Sequence, residues 1–253
     1  MAADFPLTVA ALDRLAGEDR AVALWWRDDD ARRPSVALDR LLLLREKQDL
    51  QLALAVIPED AEPGLAARLD HNGMIAALLH GWSHANHAPA DEKRAEFGDH
   101  RPNAAMEREL IEGRARLVDL FGERFLPVFV PPWNRIGERA RTLLPTLGLP
   151  IVSTYGPARP PVLGGPAELN THLDIMDWRA KSGLAMDEAD RRLSDLIETR
   201  RGGSVEPIGI LSHHLQHDEA AWALLERLLA EMARHPAVLW PDMAALMAAR
   251  NTQ

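Results

Sequence analysis

The chain has 253 residues, with 29 Lys+Arg against 38 Asp+Glu and a formal net charge of −9. That acidic balance excludes nucleic acid as the main partner, because phosphate recognition needs a basic surface. A 47% hydrophobic fraction excludes intrinsic disorder, and no apolar run nears the roughly 20 residues of a membrane span.

The expected elements follow in chain order. Residues 6–17 read as a short amphipathic helix. Ala21–Trp26 reads as a buried strand that ends in Arg27-Asp28-Asp29-Asp30. Pro34 and Ser35 open a helix that runs to about Lys47. Leu52–Ile57 is a strand, Pro63–Asp70 a helix, and Met74–Leu79 a strand ending at His80. A polar loop from Gly81 to Asn103 precedes a helix over Ala104–Phe121. Phe125–Val130 is a strand stopped by Pro131-Pro132. A helix over Glu138–Leu147 and a strand over Ile151–Thr154 come next, then a Pro/Gly-rich loop over 155–170. His172–Met176 and Pro207–Leu211 read as strands, Ala185–Arg200 and Glu219–Arg234 as helices. Val238–Trp240 and a last helix close the chain. This alternation predicts an α/β fold with a mostly parallel sheet. No repeat or linker interrupts it, so a single domain over 1–253 is expected. The N-terminus lacks the basic and apolar regions of a secretory signal, which reads as cytoplasmic.

The polar residues of interest follow the C-terminal ends of expected strands, where parallel sheets build their sites. Six of the ten histidines fall in two clusters, His80/His84/His87 and His213/His214/His217. His80 and His84 are four apart, so on a helical turn both rings would face one way, as two metal ligands do. An acid from elsewhere would complete a two-His, one-carboxylate set with an open position. Asp28, Asp29 and Asp30 are three adjacent carboxylates that repel one another and need cations or raised pKa values to share a site. With no cysteine, thiolate sites are excluded.

Five segments then fall in a telling order: Trp26–Ala31, His80-Gly81-Trp82-Ser83-His84, Val130-Pro131-Pro132-Trp133, Asp177-Trp178 and Leu211-Ser212-His213. Their order and spacing resemble the five motifs of the polysaccharide deacetylases, metal-dependent carbohydrate esterases with the NodB-type domain. The resemblance spans about residues 20–217. It implies a distorted (β/α) barrel and an N-deacetylase acting on an N-acetylated sugar or glycan intermediate.

Carried over residue by residue, the first motif implies Asp29 as general base and Asp30 as metal ligand. A one-residue shift would put Asp28 and Asp29 in those roles, and both registers stay open. The second motif implies His80 and His84 as ligands, with Gly81 where the family carries a hydroxyl that steadies the loop. The third motif normally begins with an Arg that holds the base; here that residue is Val130, and Arg27 or Arg135 is left to supply the charge. Pro132 and Trp133 resemble the wall of the substrate groove. Asp177 and Trp178 resemble the fourth motif, which lines the groove and supports the general acid. His213 is the implied acid; His214 stands where the family often has Asp, so either ring is a candidate to point inward.

Trp82, Asn86 and His87 are further expected substrate contacts, in a loop richer than the usual motif. The implied cofactor is a divalent metal with Zn²⁺ preferred, although nitrogen and oxygen ligands also suit Co²⁺, Ni²⁺ and Mn²⁺. Two rival functions share the site: hydrolysis of a non-sugar amide, and carbohydrate binding without turnover.

Overall fold

Apolar runs become parallel strands in the computed structural model, which describes residues 3–69 and 74–251. The helices are α1 (Pro6–Gly17), α2 (Val36–Gln48), α3 (Pro63–Leu69), α4 (Asn103–Phe121), α5 (Glu138–Leu143), α6 (Met186–Arg201), α7 (Glu219–Met232) and α8 (Met243–Asn251). The longer strands are β1 (Val22–Ala31), β2 (Leu52–Val56), β3 (Ile75–His80) and β4 (Phe125–Val130). Short strands follow as β5 (Ile151–Val152), β6 (Ala167–Glu168), β7 (Leu173–Asp174), β8 (Met176–Asp177) and β9 (Ser182–Gly183). The last two are β10 (Ile208–Ser212) and β11 (Val238–Leu239). Among the described residues no helix is long and apolar enough to cross a membrane.

The chain divides into two compact units. The first comprises Met1–Asp28, Val36–Leu52 and Thr171–Asp242. In it β7, β10, β1 and β11 lie side by side and parallel. α1 packs on α6, where Asp190 accepts the free N–H groups of Leu7 and Thr8 at 3.0 and 2.8 Å and caps the helix start.

The second unit comprises Asp29–Ser35, Ala53–Asn170 and Met243–Gln253. Its strands run in the order β2-β3-β4-β5-β6, and those from β3 onward pair in parallel. β2 and β3 are almost wholly buried, which is why they read as unbroken apolar runs. α4 packs on β3 and β4 through Met106, Leu110 and Leu117 on its buried face.

Three boundaries differ from expectation for physical reasons. β1 does not stop at Trp26 but continues to Ala31. Its ladder to β10 runs on through Asp28 opposite Ser212, whose hydroxyl bonds the carboxylate, so the charge is accommodated inside the strand. The helix expected over Glu138–Leu147 ends at Leu143, because Pro145 has no N–H to bond back to the Arg141 carbonyl; the chain goes on as a 3₁₀ turn over Pro145–Leu147. The strand expected over His172–Met176 splits at Ile175. The Asp174 carboxylate accepts the Met176 N–H at 2.9 Å and turns the chain toward an antiparallel pairing of β8 with β9. Asp70, the last residue of the expected third helix, lies outside the described residues.

Candidate functional site

The second unit gathers Asp30, His80 and His84, whose nearest ligand atoms all lie within 4.8 Å of one another. β3 delivers His80 at its C-terminal end, in register with Val130 at the end of β4. The His80 Nδ1–H donates to the Val130 carbonyl at 2.9 Å. A carbonyl can only accept, so Nδ1 carries a proton, and Nε2 is the ring atom left to face Asp30 or a cation. That atom is 3.1 Å from Asp30 Oδ1, and His84 Nε2 is 3.3 Å from the same oxygen. Three lone-pair donors converging on one point, one oriented by a backbone carbonyl, suit a divalent cation with nitrogen and oxygen ligands.

The electrostatics are those of a site that attracts positive charge. Burial works against a charged His80, but the bond to Asp30, the charges of Asp29 and Asp30 and the Val130 carbonyl shift its pKa upward overall. Burial, then the His80 charge, push His84 downward.

His80 and His84 do not share a helical face. The segment from 81 to 84 is irregular, and the second histidine swings back through left-handed backbone. Gly81 has φ +59° and His84 φ +60°; Asp30, Trp133 and Asn134 lie at +73°, +55° and +54°. Non-glycine residues rarely adopt this region, and such strain persists only where the surroundings enforce it. The His84 ring rests on the Trp133 indole, with centroids 4.4 Å apart.

Glu96, fully buried within the expected polar loop, holds this segment. Its carboxylate accepts the Trp82 N–H at 3.1 Å, the Ser83 N–H at 2.7 Å and the Ser83 hydroxyl at 3.0 Å. A pattern search for catalytic acids passes over it, because its partners are backbone groups.

The other expected contacts of this unit are placed as follows. Pro132 is buried against Gly81. The Trp82 ring edge lies against Gly113 of α4. Asn86 is exposed, and its Oδ1 accepts the N–H groups of Ala88 and Ala95, closing a turn. His87 is exposed and its N–H joins the same turn through the Ala95 carbonyl. Asp29 is 2% exposed. Arg135 is exposed and donates to the Arg94 carbonyl.

The first unit gathers the second cluster. Asp28 is fully buried and accepts from Ser212 Oγ at 2.6 Å, from the His214 N–H at 3.0 Å and from His214 Nδ1 at 2.5 Å. Trp26 Nε1 donates in turn to Ser212 Oγ at 2.8 Å. Burial alone would raise the Asp28 pKa, but the His214 charge and bond, the His217 charge and Ser212 lower it overall. Asp28 is therefore engaged by β10 and its following turn, whereas Asp30 stands with the two histidines; the register is the one with Asp30 as ligand candidate.

His214 is likewise taken up by Asp28. His213 meets the Trp178 indole edge-on, centroids 4.7 Å apart, and its backbone N–H donates to His217 Nε2 at 3.2 Å. Trp178 is held by a 2.7 Å bond from Nε1 to Asp174. Asp177 accepts the N–H groups of Arg179 and Ala180 and closes a turn. Asp174 was not expected here; His217 was expected only as a member of the histidine cluster.

No protein-family model matches the sequence, and no curated protein is similar to it. Solved structures do match. A Mycobacterium smegmatis protein assigned as a polysaccharide deacetylase aligns with TM-score 0.69 and 17% identity, over 92% of this chain and 91% of that one. This chain has the polysaccharide-deacetylase fold. A family 4 acetyl xylan esterase from Clostridium thermocellum, solved with a cobalt ion, aligns with TM-score 0.55 and 14% identity over 90% and 91% of the two chains. A mutant of a CE4-family pseudoenzyme with restored enzymatic activity aligns with TM-score 0.57 and 12% identity, over 90% of this chain and 68% of that one. The distorted α/β barrel expected from the motifs is thus the fold found.

Proposed function

We propose that the protein is a metal-dependent N-deacetylase whose substrate is an N-acetylated sugar or glycan intermediate. The observation that carries the reading is the convergence of Asp30, His80 and His84 at a parallel strand edge on this fold. These residues would hold a divalent cation, with Zn²⁺ preferred for a two-imidazole, one-carboxylate set. The cobalt ion of the Clostridium thermocellum esterase supports a divalent ion in such a fold. When bound, the cation supplies a Lewis acid and a sink for developing negative charge.

The remaining steps belong to the chain's own residues. Asp29 takes the proton of the attacking water. His213 gives a proton to the leaving amine, which departs poorly unless protonated. The products are a free amine and acetate. Trp133 and Trp178 offer indole faces to sugar rings, and Trp178 is 49% exposed. A pseudoenzyme shares this fold, so sugar binding without turnover is a second reading, which the retained Asp29 and His213 rank below the deacetylase; Val130, in the place of the motif's Arg, keeps hydrolysis of a non-sugar amide as another.

The test is bound metal per chain, by elemental analysis, in wild type and His80→Ala, followed by acetate release from N-acetyl sugars. About one equivalent lost in the variant, with acetate released, supports the deacetylase. Metal without acetate moves the protein to the second reading. Absence of metal after Zn²⁺ is supplied overturns the deacetylase and leaves sugar binding without turnover.

A further inference from the structure

The Gly81–His84 segment has no helix to shape it, yet it must return His84 to Asp30 through two left-handed residues. Four things grip it in the second unit. The Gly81 N–H donates to the Val130 carbonyl at 3.1 Å, the Trp82 carbonyl accepts the Glu59 N–H at 3.0 Å, the Arg32 guanidinium donates to the Ser83 carbonyl at 3.3 Å, and Glu96 takes the three donors described above. Arg32 and Glu96 act through side chains, and Glu96 makes three bonds to the segment where Arg32 makes one.

Glu96 is itself braced. Arg101 donates to its carbonyl at 3.1 Å and forks onto Glu109 of α4 at 2.8 and 2.7 Å. The adjoining Phe97 ring packs edge-on against Phe129 of β4, centroids 5.2 Å apart. The carboxylate is thus anchored to the rigid helix and sheet behind the loop.

Gly81 fits this arrangement and no other residue would. A Cβ there would lie 2.0 Å from Glu96 Oε2 and 2.6 Å from Pro132 Cγ, at a φ of +59°. A side chain at 81 and a carboxylate from 96 exclude each other. The motif that this segment resembles carries a hydroxyl at 81; here the hydroxyl sits at Ser83 and bonds Glu96.

We propose that Glu96 is a positioning residue for the metal centre: it replaces the missing hydroxyl and holds the backbone that presents His84. The proposal rests on the reading of Asp30, His80 and His84 as cation ligands. Residues that orient ligands without touching the metal typically set its affinity by about 10–100-fold.

The experiment is Zn²⁺ titration by calorimetry on wild type, Glu96→Gln, Ser83→Ala and Glu109→Gln. Glu96→Gln keeps the size but turns an amide toward N–H donors. It should bind Zn²⁺ about 10–100-fold more weakly while its circular dichroism stays that of the wild type. Ser83→Ala, which removes one of the three bonds, should lose less. Glu109→Gln weakens the brace on α4 at one remove; it should unfold at lower temperature and lose clearly less affinity than Glu96→Gln. Wild-type affinity in Glu96→Gln overturns the proposal, and so does an equal loss in Glu109→Gln, which marks a merely structural role. If the wild type binds no Zn²⁺, the metal reading has failed instead. Hydrogen exchange then decides on Glu96 alone: loss of protection confined to the Trp82 and Ser83 amides in Glu96→Gln upholds its hold on the loop, and unchanged protection removes it.

Discussion

The carboxylate of Asp28 holds both the ring and the backbone of His214, through Nδ1 at 2.5 Å and the N–H at 3.0 Å. One side chain in β1 thereby fixes the turn that follows β10. Both residues are buried, with side-chain exposures of 0% and 1%. Removing one member of such a pair leaves the other buried without its partner, at about 3–5 kcal/mol. Asp28→Ala should lose stability of that order in a urea titration. A loss below about 1 kcal/mol, the scale of an exposed ion pair, would show that the pair does not hold the turn.

Zinc should stabilise the wild type and leave His80→Ala unmoved. A ligand present at 100 times its Kd stabilises the folded state by about 2.7 kcal/mol. The wild-type melting temperature should rise accordingly with Zn²⁺ and fall back with a chelator. An equal rise in His80→Ala would place the binding elsewhere than at Asp30, His80 and His84.

His217 predicts an acid-side loss of stability. Burial, with the His213 and His214 charges, holds its pKa down to about 4 against the opposing charge of Asp28. An unfolded histidine titrates near 6.5. Between these values the unfolded chain binds the extra proton, so stability falls as pH drops from about 6.5 to about 4 and levels off below. The full window is worth on the order of 3 kcal/mol at 1.36 kcal/mol per pKa unit. His217→Gln still accepts the His213 N–H but does not titrate. Its stability should be flatter than wild type across that window; parallel curves would assign the acid loss to other groups.

Gly81→Ala should be among the most damaging single-methyl changes in the chain. The added carbon meets Glu96 and Pro132 at 2.0 and 2.6 Å, in backbone that alanine resists. Overpacking and strain of this kind amount to about 1–3 kcal/mol each. Pairing it with Glu96→Ala should recover part of the loss, because Pro132 and the φ remain. Full recovery would mean that the carboxylate alone excludes a side chain at 81.

The elements that were legible in the sequence are those whose pattern reports their own burial. β2, β3 and β4 are apolar throughout because helices or strands cover them, and His80 marks the end of β3. The extent of β1 was not legible. Hydropathy sees Asp28 as an end, whereas the ladder sees Ser212 opposite it. The residues of the candidate cation site were readable through motif order. The backbone that brings them together was not, since it is left-handed at Asp30 and His84, which no periodicity encodes. Glu96 and Asp174 escaped as site residues for a shared reason: each acts on backbone groups or on another side chain brought to it by the fold.

The run Asp28-Asp29-Asp30 looks like one acidic patch on paper, but its members answer to different masters. Asp28 is bound up with Ser212 and His214, Asp29 is buried, and Asp30 faces two imidazoles. A saturation library over these three codons, sorted once for cellular abundance and once for zinc loading, should therefore resolve them. Variants at 28 should drop out in the first sort, while variants at 30 should survive it and fail the second. Adjacent codons in one strand would then carry separate selective pressures, and drift at one would leave the other's trait intact.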